Sequence, residues 1–313
     1  TEDLTFSPEA ALHTLLRRAS FALTGLPPTP EQIDAFTADN APGAYERLVD
    51  RLLDSPRYGE RWGRFWLDLA GYADSEGKRH ADMIRPFAWK FRDYVIRAFN
   101  DDKPFDRFLI EQLAGDELFD YANAKEITPA IYDALVATGF LRMAPDGTTA
   151  NPVNRVEDRL EVISDEVDIL ARGVMGLTMN CARCHDHKYD PISQADYYSL
   201  TAVFKGAYDE YDWMTPQKFN NQWEKMKQRH LPVALPEEKR EWDAKMAVFN
   251  SELEKLNQQL AALDKSKASE IKGMKKKINA FKAKAPTQPQ IRALWDRGRP
   301  SESFVYKRGD HLL

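Results

Sequence analysis

Both cysteines of this 313-residue chain lie in one short unit, Cys181-Ala182-Arg183-Cys184-His185. Residues three apart on a helical turn face the same way, so these two thiols can form thioether bonds to one ligand. The histidine four residues after the first cysteine lies on that same face, where its imidazole can bind an iron ion. The C-x-x-C-H pattern is typical of covalent haem attachment and predicts haem c with His185 as an axial iron ligand.

Three other interpretations of the two thiols stay open. They could be a redox dithiol, although no βαβ pattern surrounds them. They could form a disulfide, which leaves His185 without a role. Cys181, Cys184, His185 and His187 could also bind zinc, although structural zinc sites usually take their ligands from two separated segments.

The sixth position of the iron decides between electron transfer and chemistry at the haem. A methionine or histidine there closes the site, whereas an open position permits small-molecule binding. His187 is a candidate, but on a continuing helix it would point about 200° away from His185. His80 and Met83 are candidates in the polar loop 74–86, because such loops can fold over a cofactor. The remaining methionine candidates are Met143, Met175 and Met179, and His13, His230 and His311 are interpreted as surface residues.

Basic and acidic side chains surround the motif. Arg183 and Lys188 are the predicted partners of the haem propionates, together with Arg155 and Arg159, because carboxylates favour guanidinium contacts. A calcium site is a further possibility, although the spacing of the acidic residues matches no EF-hand loop. Those residues are Glu157, Asp158, Asp165, Glu166, Asp168, Asp186, Asp190 and Asp196.

The elements that position the motif are predicted to be helical. Apolar residues recur every three or four positions from Val156 to Leu177, which predicts a long helix over 154–179 leading to Cys181. Similar patterns occupy most of 8–143, and no region is rich in β-formers. The predicted fold is therefore mostly α, a helical haem-binding domain followed by an antiparallel coiled-coil hairpin.

The hairpin is predicted from a heptad pattern that runs from Trp242 to Leu263 and resumes from Ile271 to Phe281. The predicted organisation is a haem domain over 1–212, a linker over 213–236, the hairpin over 237–285 and a tail over 286–313. The second helix of the hairpin is rich in lysine, which indicates a solvated face or a docking surface for an acidic partner. An oligomer through the hairpin is a further possibility.

Composition limits the partners and the location of the chain. Hydrophobic residues make up 43%, charged residues 30%, and the net charge is −5, which shows no bias toward nucleic acid. No apolar run approaches the roughly 18 residues of a membrane span. Because covalent haem attachment takes place outside the cytoplasm, we expect an exported protein of the periplasm or cell envelope. The chain opens without a signal peptide, so we expect it to be a processed or excised mature portion.

Several segments resemble one known family. Residues 181–192, CARCHDHKYDPI, resemble the signature of the planctomycete cytochrome-c-associated domain of unknown function. Segments 23–30, 58–62, 66–70, 91–96, 111–116 and 155–159 resemble further motifs of that family in the same order, so the resemblance covers roughly 5–210. The segment 306–310 resembles the approach to a second domain that usually follows, which implies a chain truncated before that domain. The resemblance implies an exported bacterial protein and supplies no reaction.

The sequence therefore predicts an exported cytochrome-like protein with one covalent haem, transferring electrons to a redox partner protein or a downstream domain. One alternative is a haem enzyme whose open or weakly held sixth position is completed by a downstream domain. Another is a partner-docking module with structural haem or zinc. No hydrolase triad, P-loop or dinucleotide-binding glycine pattern is present, so whether the protein is an enzyme stays open.

Overall fold

The computed structural model describes residues 7–78, 82, 84–148, 155–213, 230–264, 267–296 and 298–313. About 58% of these residues are helical, and they contain no strand or sheet, which confirms the mostly α prediction. Isolated antiparallel bridges join Ser75 to Ile84 and Leu231 to Ile291. Within the same ranges, every helix is too short or too polar to cross a membrane.

The first three helices, α1 (Leu12–Leu23), α2 (Pro30–Ala38) and α3 (Ala44–Leu53), share a small core of their own. A capping box starts α2, in which Thr29 and Gln32 each accept a hydrogen bond from the other's backbone N–H. This reciprocal pairing satisfies two amide groups that the helix start leaves without internal partners. The buried side chains of this cluster are Leu16, Ala19, Phe36, Leu48 and Leu52.

The main core is formed by α4 (Pro56–Leu69), α5 (Ala88–Asn100), α6 (Phe105–Ala114), α7 (Pro129–Ala137), α8 (Val156–Leu170) and α9 (Gln194–Val203). Helices α4 and α5 approach closely, since a Cβ at Gly59 would lie 2.3 Å from the Ile96 carbonyl oxygen. Trp66 packs against the rings of Phe108 and Phe140 and is fully paired, because its indole Nε1 donates to Gln112 Oε1 at 2.6 Å.

The helix before the motif is shorter than predicted. Helix α8 ends at Leu170 and is followed by a π-helical turn over Ala171–Met175. Gly176 then adopts the left-handed conformation, with φ 66°, and Leu177 N–H donates to Ala171 O at 3.0 Å. A left-handed glycine at this point ends a helix, so the predicted continuous helix over 154–179 is wrong at its C-terminal end.

Two helices protrude beyond the main core, α10 (Pro236–Ala261) and α11 (Ala268–Lys282). The rings of Phe249 and Phe281 stack with centroids 4.7 Å apart, and Trp242 Nε1 donates to Pro286 O at 3.2 Å. The start of α10 therefore meets the chain just after α11, which makes the pair antiparallel. Coiled-coil geometry between them stays a prediction.

Residues 290–294 lie inside the core of the helical domain rather than apart from it. Ile291 and Ala293 are completely buried, and Leu294 N–H donates to the Thr138 hydroxyl at 2.9 Å. Arg292 forms an ion pair with Glu76, with Nη1 and Oε1 2.8 Å apart. The tail, predicted as a separate segment over 286–313, thus supplies core residues to the domain predicted over 1–212.

Candidate haem attachment site

The two thiols lie on one side of a short turn. A 3₁₀ helix covers Asn180–Arg183, and the backbone N–H groups of Cys184 and His185 donate to Cys181 O at 3.2 and 3.4 Å. Because a 3₁₀ helix has three residues per turn, residues i and i+3 are eclipsed. Both cysteines are exposed free thiols. The turn therefore carries two solvent-exposed thiols three residues apart.

The opposite side of this turn is anchored in the protein. Ala182 is completely buried, and Met179, just before the turn, is 4% exposed. The Arg183 carbonyl oxygen accepts hydrogen bonds from the Tyr198 hydroxyl at 3.0 Å and from Gln194 Nε2 at 2.9 Å, both on α9. The packing of Ala182 and the two hydrogen bonds to Arg183 O together hold the backbone of the turn against the protein.

His185 is exposed and its tautomer is determined by a backbone contact. Its Nδ1 lies 2.7 Å from the carbonyl oxygen of Asp186. A carbonyl oxygen only accepts hydrogen bonds, so in the neutral ring this contact favours the tautomer with the proton on Nδ1 and the lone pair on Nε2. A hydrogen bond of this kind on the second ring nitrogen is the usual support of a metal-binding histidine. His185 is therefore prepared to bind a metal ion through Nε2.

His187 has a different role. Its Nδ1 accepts hydrogen bonds from the N–H groups of Asp190, at 2.9 Å, and Tyr189, at 3.4 Å. The neutral ring then carries its proton on Nε2 and has no free lone pair. The Asp190 carboxylate lies 3.2 Å from the same Nδ1. His187 closes the loop after the motif and is not prepared to bind iron.

The remaining candidates for the sixth iron position differ in how deeply they are buried. Met143 and Met179 are buried in the hydrophobic core, at 0% and 4% exposure, so their sulfur atoms are already enclosed. Met175 is exposed in the π-helical turn. His80 and Met83 lie outside the described residues.

Of the predicted propionate partners, Arg183 lines the cleft described below. Lys188 is exposed, with Nζ 5.2 Å from the centroid of the Tyr189 ring. Arg159 Nη1 donates to Glu210 O at 2.7 Å, and Arg155 Nε lies 3.4 Å from Asp158 Oδ2. The structure therefore places Arg183 and Lys188 near the motif and directs Arg155 and Arg159 to other partners.

A cleft of about 410 Å³ lies between the start of α8, the motif and the C-terminal tail. A Cβ at Gly309 would lie 2.8 Å from Cys184 Sγ, so the tail backbone touches the second thiol. The sequence predicted no site residue in the tail. The family resemblance of 306–310 was the sequence feature that pointed to this segment. The residues that line the cleft are Glu157, Leu160, Arg183, Arg308, Gly309, Asp310, His311 and Leu312.

The acidic residues near the motif do not form a cluster. Across the described ranges, no three His, Cys, Asp or Glu side chains are placed to hold a metal ion together. Asp165 pairs with Lys78 at 3.1 Å, and Asp168 pairs with Arg172 at 2.9 Å. The described residues therefore form neither the calcium site nor the four-ligand zinc site.

The donor set fits a covalently bound haem. Two exposed free thiols lie three residues apart on one turn, His185 offers an imidazole, and a cleft lined in part by Arg183 also carries Arg308. Thioether attachment requires thiols rather than a disulfide, and guanidinium groups suit the propionate carboxylates. These features agree with one another although they come from the motif, its following loop and the distant tail.

No curated protein and no solved structure matches the chain. A family model described as a protein of unknown function (DUF1549), PSCyt2, matches residues 1–209. The match includes helices α1 to α9 and the C-x-x-C-H turn, and it spans well over half of the 313 residues. The chain therefore belongs to the PSCyt2 family of proteins of unknown function (DUF1549).

Proposed function

We propose that this protein is an exported c-type cytochrome that carries one haem on Cys181 and Cys184 and transfers electrons to a redox partner protein or a downstream domain. The observation that supports this proposal best is the geometry of the motif. Two exposed thiols lie three residues apart on one turn, and Asp186 O accepts a hydrogen bond from the Nδ1-protonated tautomer of His185, which leaves the lone pair on Nε2.

Each residue of the site has a definite part in this function. When bound, the haem supplies a one-electron redox couple. Cys181 and Cys184 hold it covalently, His185 binds the iron, and the Asp186 carbonyl orients the imidazole. Arg183 and Arg308 offset the negative charge of the propionates.

Location and partners follow from the same chemistry. Because covalent haem attachment occurs outside the cytoplasm, the protein is placed in the periplasm or cell envelope. Its electrons go to a separate redox protein or to a domain after residue 313. The paired helices α10 and α11 form a surface on which a second copy or another protein could dock.

The first prediction concerns the two thiols. The chain is produced with an export signal in a bacterium that matures c-type cytochromes, and the protein is denatured before analysis. We expect haem that survives denaturation, seen as peroxidase stain on a gel and as the mass of one haem. The double variant Cys181→Ser/Cys184→Ser is expected to lose this haem completely. It should keep its helical circular dichroism, because both side chains are exposed.

An exported, folded native chain that carries no covalent haem would contradict the proposal and favour zinc or a redox dithiol. The reduced and oxidised visible spectra separate electron transfer from catalysis. A low-spin spectrum unaffected by CO supports electron transfer, whereas a high-spin ferric haem that binds CO after reduction supports the enzyme alternative.

A further inference from the structure

We infer that His311, from the C-terminal tail, is the second axial ligand of the haem iron. This inference rests on the proposed covalent haem and adds the residue that closes its other face. It comes from the way in which the tail is fixed across the motif, far along the chain from Cys181.

One amide group connects the tail directly to the motif. Gln194 Nε2 donates to Arg183 O and to Tyr306 O, each at 2.9 Å. The Tyr306 hydroxyl donates to Glu210 and lies 3.2 Å from the Tyr211 hydroxyl, while its ring meets Tyr198 edge-on at 5.3 Å. Tyr306 is only 6% exposed. The tail is therefore an anchored part of the site.

Gly309 brings the backbone against the second thiol. It adopts φ 76°, where a side chain is disfavoured, and a Cβ there would lie 2.8 Å from Cys184 Sγ and 3.6 Å from Arg183 O. Two residues span at most about 7 Å of extended chain. The Cα atom of His311 therefore lies within about 7 Å of the Cα atom of Gly309, the residue that contacts Cys184.

The His311 ring is enclosed in the cleft. Its side chain is 12% exposed. The ring meets Tyr306 edge-on at 6.4 Å, and Nε2 lies 3.9 Å from Glu157 Oε1, which is longer than a hydrogen bond. His311 and Arg183 line the same cleft, so the imidazole lies beside the arginine of the motif.

Five other described histidines and methionines are less suitable. Met143 and Met179 are buried in the core, and the ring nitrogens of His187 are occupied as described above. His230 is buried against the Phe87 ring with centroids 5.0 Å apart, and His13 is exposed on α1. Within the described ranges, His311 alone among these residues lines the cleft beside Arg183.

A second histidine would make the iron six-coordinate and low-spin, which is a closed electron-transfer site. The deciding experiment compares the native protein with His311→Ala by visible and electron paramagnetic resonance spectroscopy, with and without CO. We expect the native protein to be low-spin and His311→Ala to become high-spin, to bind CO after reduction and to return to low-spin on addition of imidazole. His13→Ala, which changes an exposed histidine on α1, is the matched control and should keep the native spectrum.

A second variant distinguishes the loss of an iron ligand from a defect in folding. His311→Met supplies a thioether ligand and is expected to stay low-spin while its reduction potential rises, because His/Met ligation favours the reduced iron. Covalent haem is measured in every sample after denaturation. Absence of haem from the native protein overturns the proposed function. Equal haem with a low-spin, CO-insensitive His311→Ala overturns only the assignment of His311.

Discussion

Glu166, on α8, is a carboxyl group that the protein interior keeps uncharged. Its Oε1 accepts a hydrogen bond from Ala144 N–H at 2.8 Å, and its Oε2 is buried without a hydrogen-bond partner among the described residues. Burial raises the pKa of Glu166 to about 8, although Arg142, Arg292 and Arg85 act to lower the pKa. The group is mostly protonated at neutral pH, which makes it a poor calcium ligand.

The protonation of Glu166 should be visible in the pH dependence of the free energy of unfolding. With a folded-state pKa above the unfolded value, Glu166 contributes stability that is complete below about pH 4 and is lost as the pH rises toward 8. Glu166→Gln retains the contact with Ala144 and cannot ionise. We therefore expect Glu166→Gln to gain about 2 kcal/mol relative to the native protein between pH 5 and pH 7. Urea unfolding at both pH values measures this difference.

Glu161→Gln is the matched control, because Glu161 lies on the same helix with its side chain 50% exposed. Its stability relative to the native protein should change little between the two pH values. An equal response of the two variants would show that Glu166 is ionised in the folded protein.

Among the elements, the α10–α11 pair is the least dependent on the core. Helix α10 has no buried residue, and in α11 only Ile278 is buried. Lys90 Nζ contacts Glu238 Oε1 at 2.8 Å at the base of the pair. Since the Trp242 indole reaches Pro286 O, the two ends of the pair are adjacent in space.

Replacing 243–285 by a short Gly/Ser linker should therefore leave the main domain folded. We expect a single thermal transition close to that of the native protein, with helical circular dichroism reduced by the removed residues.

Light scattering after size exclusion tests whether the α10–α11 pair is an interface between copies of the chain. A native oligomer that becomes monomeric on deletion supports an interface on these helices, and an unchanged stoichiometry argues against it. Loss of the thermal transition would show that the core depends on the pair.

Across the molecule, the tail and the helical domain form one packed unit. Arg292 Nη1 lies 2.8 Å from Glu76 Oε1, and its Nε donates to Arg142 O at 2.8 Å. Burial opposes the ionised form of Glu76, but Arg292 and Arg85 together hold its pKa below the ordinary value. The family match ends at residue 209, whereas the packed core extends to Ile291, Ala293, Leu294 and Tyr306.

Breaking this contact should destabilise the whole domain. Arg292→Ala removes one partner of a buried ion pair and is expected to cost about 3 kcal/mol of unfolding free energy. Arg299→Ala, at an exposed position in the same tail, should change stability by about 0.5 kcal/mol or less. Chemical denaturation of both variants at neutral pH makes the comparison. Equal stabilities would show that the tail docks on a domain that is stable without it.

The features that could be predicted from the sequence depend on neighbouring residues. Apolar spacing predicted the helical fold, and heptads predicted the antiparallel pairing of α10 with α11. The order of Cys181, Cys184 and His185 placed both thiols and an imidazole on one turn. Even the error at the end of α8 was local, because it came from treating Gly176 as part of the helical pattern when its left-handed conformation ends the helix.

The other features depend on contacts between residues far apart in the chain. Gln194 joins Arg183 to Tyr306, Gly309 touches Cys184, and these contacts bring His311 to the cleft, although no motif surrounds it in the sequence. The proton on Glu166 likewise depends on how completely the core excludes water. Spacing within a helix determines which residues share a face, but the partner of that face depends on how the entire chain packs.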